Sequence, residues 1–195
     1  DVYWQLEPVS SQRPFFCLLP GGVFFLGDNH NLLQQSLTVD LVKRGDIVIS
    51  INYRLGSTIY GVRSVEKLIY TGVQDARAAL RYITHNHRGL NIDPNQIYIG
   101  GSSAGAIISL YTAYMDNDEV FKSAERRRIR RELGDINTSG NTLTDVYSIA
   151  GVVSMWGAVV DLDIIDGRNA DIPLLMFHGT ADHIVPIDSG LPYQA

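Results

Sequence analysis

The stretch that decides the fold is residues 97–108, IYIGGSSAGAII. Its apolar start predicts a short strand from Gln96 to Gly100, and its small and apolar end predicts a helix from Ala104 to Tyr114. Between them, residues 101–105 have the G-x-S-x-G pattern, which carries chemical meaning only in a turn between a strand and a helix. Because that turn is tight, the neighbours of Ser103 must be small, and they are.

A serine in such a turn is predicted to be a nucleophile. The turn pushes the hydroxyl of Ser103 into the open at the start of a helix, where the helix dipole and free N–H groups favour a developing anion. A competing interpretation is a glycine-rich turn that binds a phosphate or merely packs. The strand before it and the helix after it favour the nucleophile.

A second glycine-containing loop, Pro20-Gly21-Gly22-Val23-Phe24, follows an apolar strand at residues 15–19. A serine nucleophile needs a stabilised oxyanion, and glycines allow backbone N–H groups to approach a substrate carbonyl. The predicted donors are the N–H groups of Gly21, Gly22 and Ala104.

A carboxylate follows the last apolar strand, predicted at residues 172–177, in the run FHGTADHIVP. Asp182 in this run is the predicted acid, since a carboxylate there could orient a histidine and stabilise its charged form. Its competitors are Asp161, Asp163 and Asp166, which follow the preceding strand.

Apolar strands alternate with amphipathic helices along the chain, which predicts an α/β domain with a mostly parallel sheet covered by helices on both faces. The whole of residues 1–195 is predicted to be a single domain. The polar stretch 116–144 is a candidate insertion near the active-site edge of the sheet. Its five arginines between Arg126 and Arg131 indicate a solvated helix face.

The composition argues against several classes of binding partner. A net charge of −5 with mixed signs argues against nucleic-acid binding. No apolar stretch approaches the roughly 20 residues of a membrane span. The lone cysteine, Cys17, is predicted to be a small apolar residue in a buried strand. No cluster of His, Asp or Glu has metal-ligand spacing, so neither a metal nor a cofactor is expected.

Five segments together resemble the carboxylesterase-like branch of the α/β-hydrolases, especially bacterial esterases related to the hormone-sensitive-lipase and feruloyl-esterase groups. The segments are PGGVFFLG (20–27), INYRL (51–55), QDARAA (74–79), GGSSAGA (100–106) and HGTAD (178–182). In such enzymes the first segment usually begins His-Gly-Gly-Gly. In this chain Pro20 replaces the histidine and Val23 replaces the third glycine. The resemblance implies an α/β-hydrolase fold, a small-molecule ester substrate and a secreted or periplasmic location.

The resemblance also assigns framework roles to several polar residues: Asn52, Arg54, Asp75, Arg77 and His178. It places the catalytic histidine on a loop after one further strand beyond Asp182. Only His183 follows the acid and it directly adjoins it, so the base is expected outside these 195 residues and the fold is expected to be incomplete at both ends. The alternative is a complete protein that has lost its base.

The sequence therefore predicts a serine hydrolase that cleaves carboxylic esters through an acyl-enzyme. A serine peptidase of the prolyl-oligopeptidase type and a non-catalytic binding module of the same fold are the alternatives. Phe24, Phe25 and Trp156 lie near predicted strand ends and could line the substrate pocket, although ordinary core packing explains them equally well.

Overall fold

A computed structural model describes residues 1–3, 11–56, 65–165 and 169–190. The described strands are β1 (Val2–Tyr3), β2 (Arg13–Leu19), β3 (Ile47–Ser50), β4 (Ile92–Ser102), β5 (Ile149–Met155) and β6 (Leu174–Phe177). The described helices are α1 (Leu32–Lys43), α2 (Val65–His85), α3 (Ala104–Tyr114), α4 (Asn117–Lys122) and α5 (Ala124–Leu133), with a short 3₁₀ turn at Leu162–Ile164.

The strands described form one sheet in the order β1-β3-β2-β4-β5-β6. The pairs β3–β2, β2–β4, β4–β5 and β5–β6 are parallel, and only the pairing of β1 with β3 is antiparallel. The prediction of a mostly parallel sheet is therefore confirmed. Because the strands run the same way, the loops that follow β2, β4, β5 and β6 emerge at one carboxyl edge of the sheet.

Helices cover both faces of this sheet. Phe15, Cys17 and Ile99 belong to the buried cluster that also contains the apolar side chains of α2 and α3. On the opposite face, α1 packs against β3, where the Nε2 group of Gln34 donates to the Oγ of Ser50 at 3.1 Å. Burial raises the pKa of the Cys17 thiol to about 12, which agrees with a structural rather than a reactive cysteine.

The predicted start of β4 needs one correction. Residues 93–95, which precede the strand predicted to begin at Gln96, lie within β4. Arg13 pairs with Ile92 and Phe15 with Ile97, so the register shifts between them. The Asp93 carboxylate accepts the backbone N–H of Asn95 at 2.9 Å, which forms a local turn, while the flanking pairing keeps the segment in the sheet.

The polar stretch 116–144 contains α4 and α5 and packs along α2. Asp116 and Glu119 form a capping box at the start of α4. After α5, the chain follows α2 as far as His85, whose Nδ1 lies 3.1 Å from the Asp145 carboxylate. A role for this stretch as an active-site insertion stays a prediction. None of the described helices is long and apolar enough to cross a membrane.

The prediction that all five arginines of α5 are solvated is wrong for Arg126, which is buried. Arg126 precedes Ile129 by three residues and therefore shares its inward face. Its guanidinium donates to the Glu119 carbonyl at 3.2 Å and lies 3.6 Å from the Glu66 carboxylate. These partners replace the water that a buried guanidinium loses.

Candidate active site

Ser103 occupies the turn between β4, which ends at Ser102, and α3, which begins at Ala104. Its backbone has φ 51° and ψ −121°, a combination that non-glycine residues rarely adopt. The Ser103 N–H donates to the Met155 carbonyl of β5 at 2.9 Å, which fixes the turn against the neighbouring strand. The hydroxyl makes no capping bond to α3 and the residue is partly exposed.

The two flanking glycines are required by close backbone contacts. A Cβ placed on Gly105 would lie 2.2 Å from the Leu19 carbonyl oxygen, and one on Gly101 would lie 2.4 Å from the same atom. Real Cβ atoms do not come this close to backbone oxygens. The end of β2 therefore packs directly against the turn, and only glycine fits at these two positions.

The loop after β2 lies beside Ser103. A Cβ placed on Gly21 would lie 3.5 Å from the Cβ of Ser103 and 3.0 Å from the Ser102 carbonyl oxygen. Gly22 has φ 134°, and its carbonyl accepts the N–H groups of Phe25 and Leu26 at 3.1 and 2.8 Å. These bonds form a tight loop that holds Gly21 and Gly22 at the carboxyl edge.

Ala104 has a backbone N–H group next to Ser103, at the start of α3. As the first residue of α3, it has an N–H group for which the helix itself offers no acceptor. Gly21 and Ala104 thus flank Ser103 from the loop and from the helix. The roles of Gly21, Gly22 and Ala104 as oxyanion donors stay predictions.

Asp182 lies in the loop that follows β6. Its Oδ1 accepts the backbone N–H groups of Ile184 and Val185, both at 2.9 Å. These backbone hydrogen bonds, that of Val185 first, lower the pKa of the Asp182 carboxyl below its usual value. The carboxylate is therefore charged and held in one orientation near neutral pH.

His178 is tied to the same loop. Its Nε2 lies 2.7 Å from the Val185 carbonyl oxygen and 3.6 Å from the Oδ2 of Asp182. Since a carbonyl can only accept, Nε2 carries the proton and closes the loop. This contact agrees with the framework role that the resemblance assigns to His178.

The other histidines lie apart from Ser103. His30 pairs with Asp1 beside β1 and β3, and β3 is two strands from β4, a lateral distance of roughly 10 Å. His85 and His87 lie at the far end of α2, at the amino edge of the sheet. His183 adjoins Asp182 and is exposed. In the part of the chain that the structure describes, no histidine hydrogen-bonds to Ser103.

The three aromatic candidates for a pocket differ in their surroundings. Phe24 is buried in the core cluster with a left-handed backbone, φ 65°. Phe25 is exposed at the surface, and its ring contacts the backbone at Gly56. Trp156 follows β5, is partly exposed and has a positive φ of 44°. Its backbone N–H donates to the Phe177 carbonyl at 2.7 Å. Phe25 and Trp156 therefore keep surface that a ligand could contact.

Three of the polar residues to which the resemblance assigns framework roles make hydrogen bonds within the fold. Arg54 and Asp75 form an ion pair, with Nε 2.9 Å from the carboxylate, and Asp75 also accepts the Arg54 N–H at 2.7 Å. The Oδ1 of Asn52 accepts the N–H of Asn29 at 2.9 Å. These bonds join the segment after β3 to α2 and to the segment that follows the 20–27 loop, as expected for residues with a structural role.

Two buried groups were not found by sequence reasoning. Gln74 and Arg81 of α2 donate to main-chain carbonyls at the end of α5 and just after it, those of Leu133, Asp135 and Ser139. Their helical spacing with Arg77 and Thr84, which are also buried, is the signal that could have pointed to a buried polar stripe on α2. Among the described residues, no group of three His, Cys, Asp or Glu side chains is arranged to hold a metal ion.

Comparison with known proteins places the chain in a family. The BD-FAE family profile matches residues 1–170, and the chain belongs to this family. The sequence is 32% identical over 131 residues to juvenile hormone esterase of Heliothis virescens, covering 63% of this chain and 22% of that protein. It is also 32% identical over 119 residues to carboxylesterase NlhH of Mycobacterium tuberculosis, covering 60% of this chain and 34% of that one.

Solved structures support the fold. A truncated form of a carbohydrate esterase from gut microbiota superposes with a TM-score of 0.70 at 24% identity, over 95% of this chain and 73% of that one. The fold is therefore the α/β-hydrolase fold, as predicted. The matched region spans only 22% and 34% of the length of the two curated relatives named above.

Proposed function

We propose that the protein is a carboxylic ester hydrolase with Ser103 as its nucleophile. The observation that supports this most directly is the backbone of Ser103, φ 51° and ψ −121°, in a turn where Gly101 and Gly105 meet the end of β2. A strained non-glycine residue persists where the surrounding structure enforces it, and such residues cluster at active sites. The esterases among the relatives agree with this chemistry.

The reaction begins when the Ser103 Oγ attacks the ester carbonyl carbon and a base takes the hydroxyl proton. The carbonyl oxygen becomes an oxyanion that accepts hydrogen bonds from the N–H groups of Gly21, Gly22 and Ala104. The alcohol leaves with the proton returned by the base. Water, deprotonated by the same base, then attacks the acyl-enzyme, releasing the acid and restoring Ser103.

Asp182 orients the base. Its Oδ1 is engaged by two backbone N–H groups, so Oδ2 is the atom positioned to accept from an imidazole. His178 uses Nε2 for the Val185 carbonyl, and the other four histidines lie elsewhere. We therefore assign the base to a histidine other than these five. The exposed surfaces of Phe25 and Trp156 form walls for the acyl or alcohol part of the ester.

The test is hydrolysis of p-nitrophenyl acetate by the protein expressed as its gene encodes it. We expect Ser103→Ala to lower kcat/KM by roughly a thousandfold or more. Ser102→Ala is the matched control, because it removes the same atom from the adjacent buried residue and should leave the rate within a few-fold. Covalent labelling by a fluorophosphonate should follow the same pattern.

Three outcomes contradict the proposal. Full activity in Ser103→Ala would exclude this serine as the nucleophile. Absence of both turnover and labelling in the wild-type protein would indicate a binding module. Cleavage of proline-containing peptides without any ester turnover would indicate a peptidase.

A further inference from the structure

A buried tyrosine in the segment after β3 (residues 51–56) contacts the loop after β2 (residues 20–27). Tyr53 is 6% exposed and belongs to the core cluster. Its hydroxyl donates to the Pro20 carbonyl oxygen at 2.9 Å, across 33 positions of the chain. Neither the framework roles nor the steps of the proposed reaction use this bond.

The Pro20 carbonyl belongs to the same peptide group as the N–H of Gly21, one of the proposed oxyanion donors. Within the described ranges the structure has no cis peptide bond, and in a planar trans peptide the C=O and the N–H point in opposite directions. A donor held on the carbonyl oxygen therefore fixes the direction of the Gly21 N–H as well. The hydrogen bond also polarises the peptide group, which makes the N–H a stronger donor.

The same carbonyl lies against the turn that holds Ser103. A Cβ placed on Gly105 would lie 2.7 Å from the Pro20 carbonyl oxygen, and a Cβ placed on Gly21 would lie 3.5 Å from that of Ser103. Tyr53 consequently holds the loop at the point where it meets the turn, which is where the oxyanion of the proposed reaction would form.

The loop after β2 has a backbone that needs outside support. Gly22, Val23 and Phe24 have φ angles of 134°, 61° and 65°, and two of these three residues are not glycine. Such conformations persist only where the surrounding structure enforces them. The segment after β3 also donates the Gly56 N–H to the Phe24 carbonyl at 2.8 Å. It therefore binds the loop both at its start, through Tyr53, and at its middle.

The segment that contains Tyr53 is itself held on both sides. The Ile51 N–H donates to the Leu18 carbonyl of β2 at 3.1 Å. The Arg54 N–H donates to the Asp75 carboxylate of α2 at 2.7 Å. Since Tyr53 lies between these two attachments, the sheet and α2 together fix the position from which its hydroxyl reaches Pro20.

We propose that Tyr53 is a positioning residue for the ester hydrolysis at Ser103. Its hydroxyl fixes the peptide group between Pro20 and Gly21, so that the Gly21 N–H meets the oxyanion. This inference rests on the proposed function. Because the oxyanion exists only after Ser103 has attacked, loss of the bond should slow the chemical steps and leave the binding of the ester unchanged.

The test compares Tyr53→Phe with the wild-type protein in the hydrolysis of p-nitrophenyl acetate. Phenylalanine keeps the ring and removes only the hydroxyl. Removal of an oxyanion donor itself costs about 10²–10³-fold in kcat, so loss of a group that orients one should lower kcat by about ten- to fiftyfold. KM should stay within about twofold of the wild-type value. A trifluoromethyl ketone, which forms a charged adduct with a serine nucleophile, should bind more weakly by a factor similar to the loss in kcat.

Tyr114→Phe is the matched control. Tyr114 is 2% exposed and its hydroxyl donates to the Ile172 carbonyl at 2.8 Å, but it lies at the other end of α3, roughly 15 Å from Ser103. Both variants lose one buried hydrogen bond, and only Tyr53→Phe should lose kcat. The ¹⁵N amide signal of Gly21, which senses the bond on the adjoining carbonyl, should shift in Tyr53→Phe and stay in place in Tyr114→Phe.

The outcomes separate this role from the proposed function. Wild-type kcat in Tyr53→Phe beside an inactive Ser103→Ala would overturn the role of Tyr53 and leave the nucleophile in place. An equal loss of kcat in both tyrosine variants, a change in KM alone, or an unmoved Gly21 signal would also overturn it. Full activity in Ser103→Ala would overturn the proposed function, and the positioning role with it.

Discussion

Single atoms decide the conformation of the turn at Ser103. The Leu19 carbonyl oxygen occupies the space that side chains at positions 101 and 105 would need. The turn consequently brings the end of β2, the serine and the start of α3 into contact. Small residues were predicted here from the tightness of the turn, and the structure identifies Leu19 as the group that enforces them.

Gly105→Ala should destabilise the protein by about 1–3 kcal/mol or more, because the new Cβ meets backbone atoms that cannot move away cheaply. The measurement is the free energy of unfolding in urea. Gly89→Ala is the control, since a Cβ there has its nearest neighbour at 3.6 Å, an ordinary contact. Equal stability of Gly105→Ala and the wild type would contradict the packing described for this turn.

Helices and strands could be predicted where the sequence pattern that specifies them is local. The helix at 104–114 was predicted to the residue, because small residues start it at the turn and the polar run from Asp116 follows it. The register of β4 was not predictable, since the pairing of Arg13 with Ile92 joins residues far apart in sequence. The burial of Arg126 depends likewise on Glu66, 60 residues away along the chain.

Among the contacts between elements, the side-chain amide of Gln74 on α2 binds the end of α5. Its Nε2 lies 3.1 Å from the Leu133 carbonyl, 3.2 Å from that of Asp135 and 2.9 Å from the Ser139 hydroxyl. The last carbonyls of α5 have no intrahelical donors, so this one amide caps the helix from its neighbour. The stretch 116–144 is thereby anchored to the body of the fold.

Gln74→Met keeps the volume and removes the amide, which takes from the Leu133 carbonyl its side-chain donor and from Asp135 and Ser139 one of their partners. We expect a loss of about 1–3 kcal/mol in unfolding free energy and faster amide hydrogen exchange in residues 133–139. Gln35→Met, at an exposed position of α1, should change neither quantity. Unchanged exchange in residues 133–139 of Gln74→Met would show that other contacts hold the segment.

Across the whole molecule, the residues of the proposed site follow several different strands, and the sequence indicated these residues but not which strands are neighbours. The motifs at Gly21, Ser103 and Asp182 were predicted because each follows an apolar strand, and in the structure they follow β2, β4 and β6. Which strands are neighbours was not readable from the order of the chain, since β2 lies between β3 and β4. The parallel pairing brings Gly21 beside Ser103, and β5 separates both from β6.

The outer strand β6 gives the last prediction. Leu174, Leu175, Met176 and Phe177 are 37%, 54%, 52% and 53% exposed, and within the described ranges β6 pairs with β5 alone, so both faces of β6 and its other edge meet solvent there. Exposed apolar edge strands promote association. We expect a protein of these 195 residues to elute earlier in gel filtration as its concentration rises, and Leu175→Lys to reduce that shift, because a charged edge resists pairing. Leu32→Lys adds the same charge at a leucine 85% exposed on α1 and should leave the shift unchanged. A monomeric elution at every concentration would show that β6 does not associate.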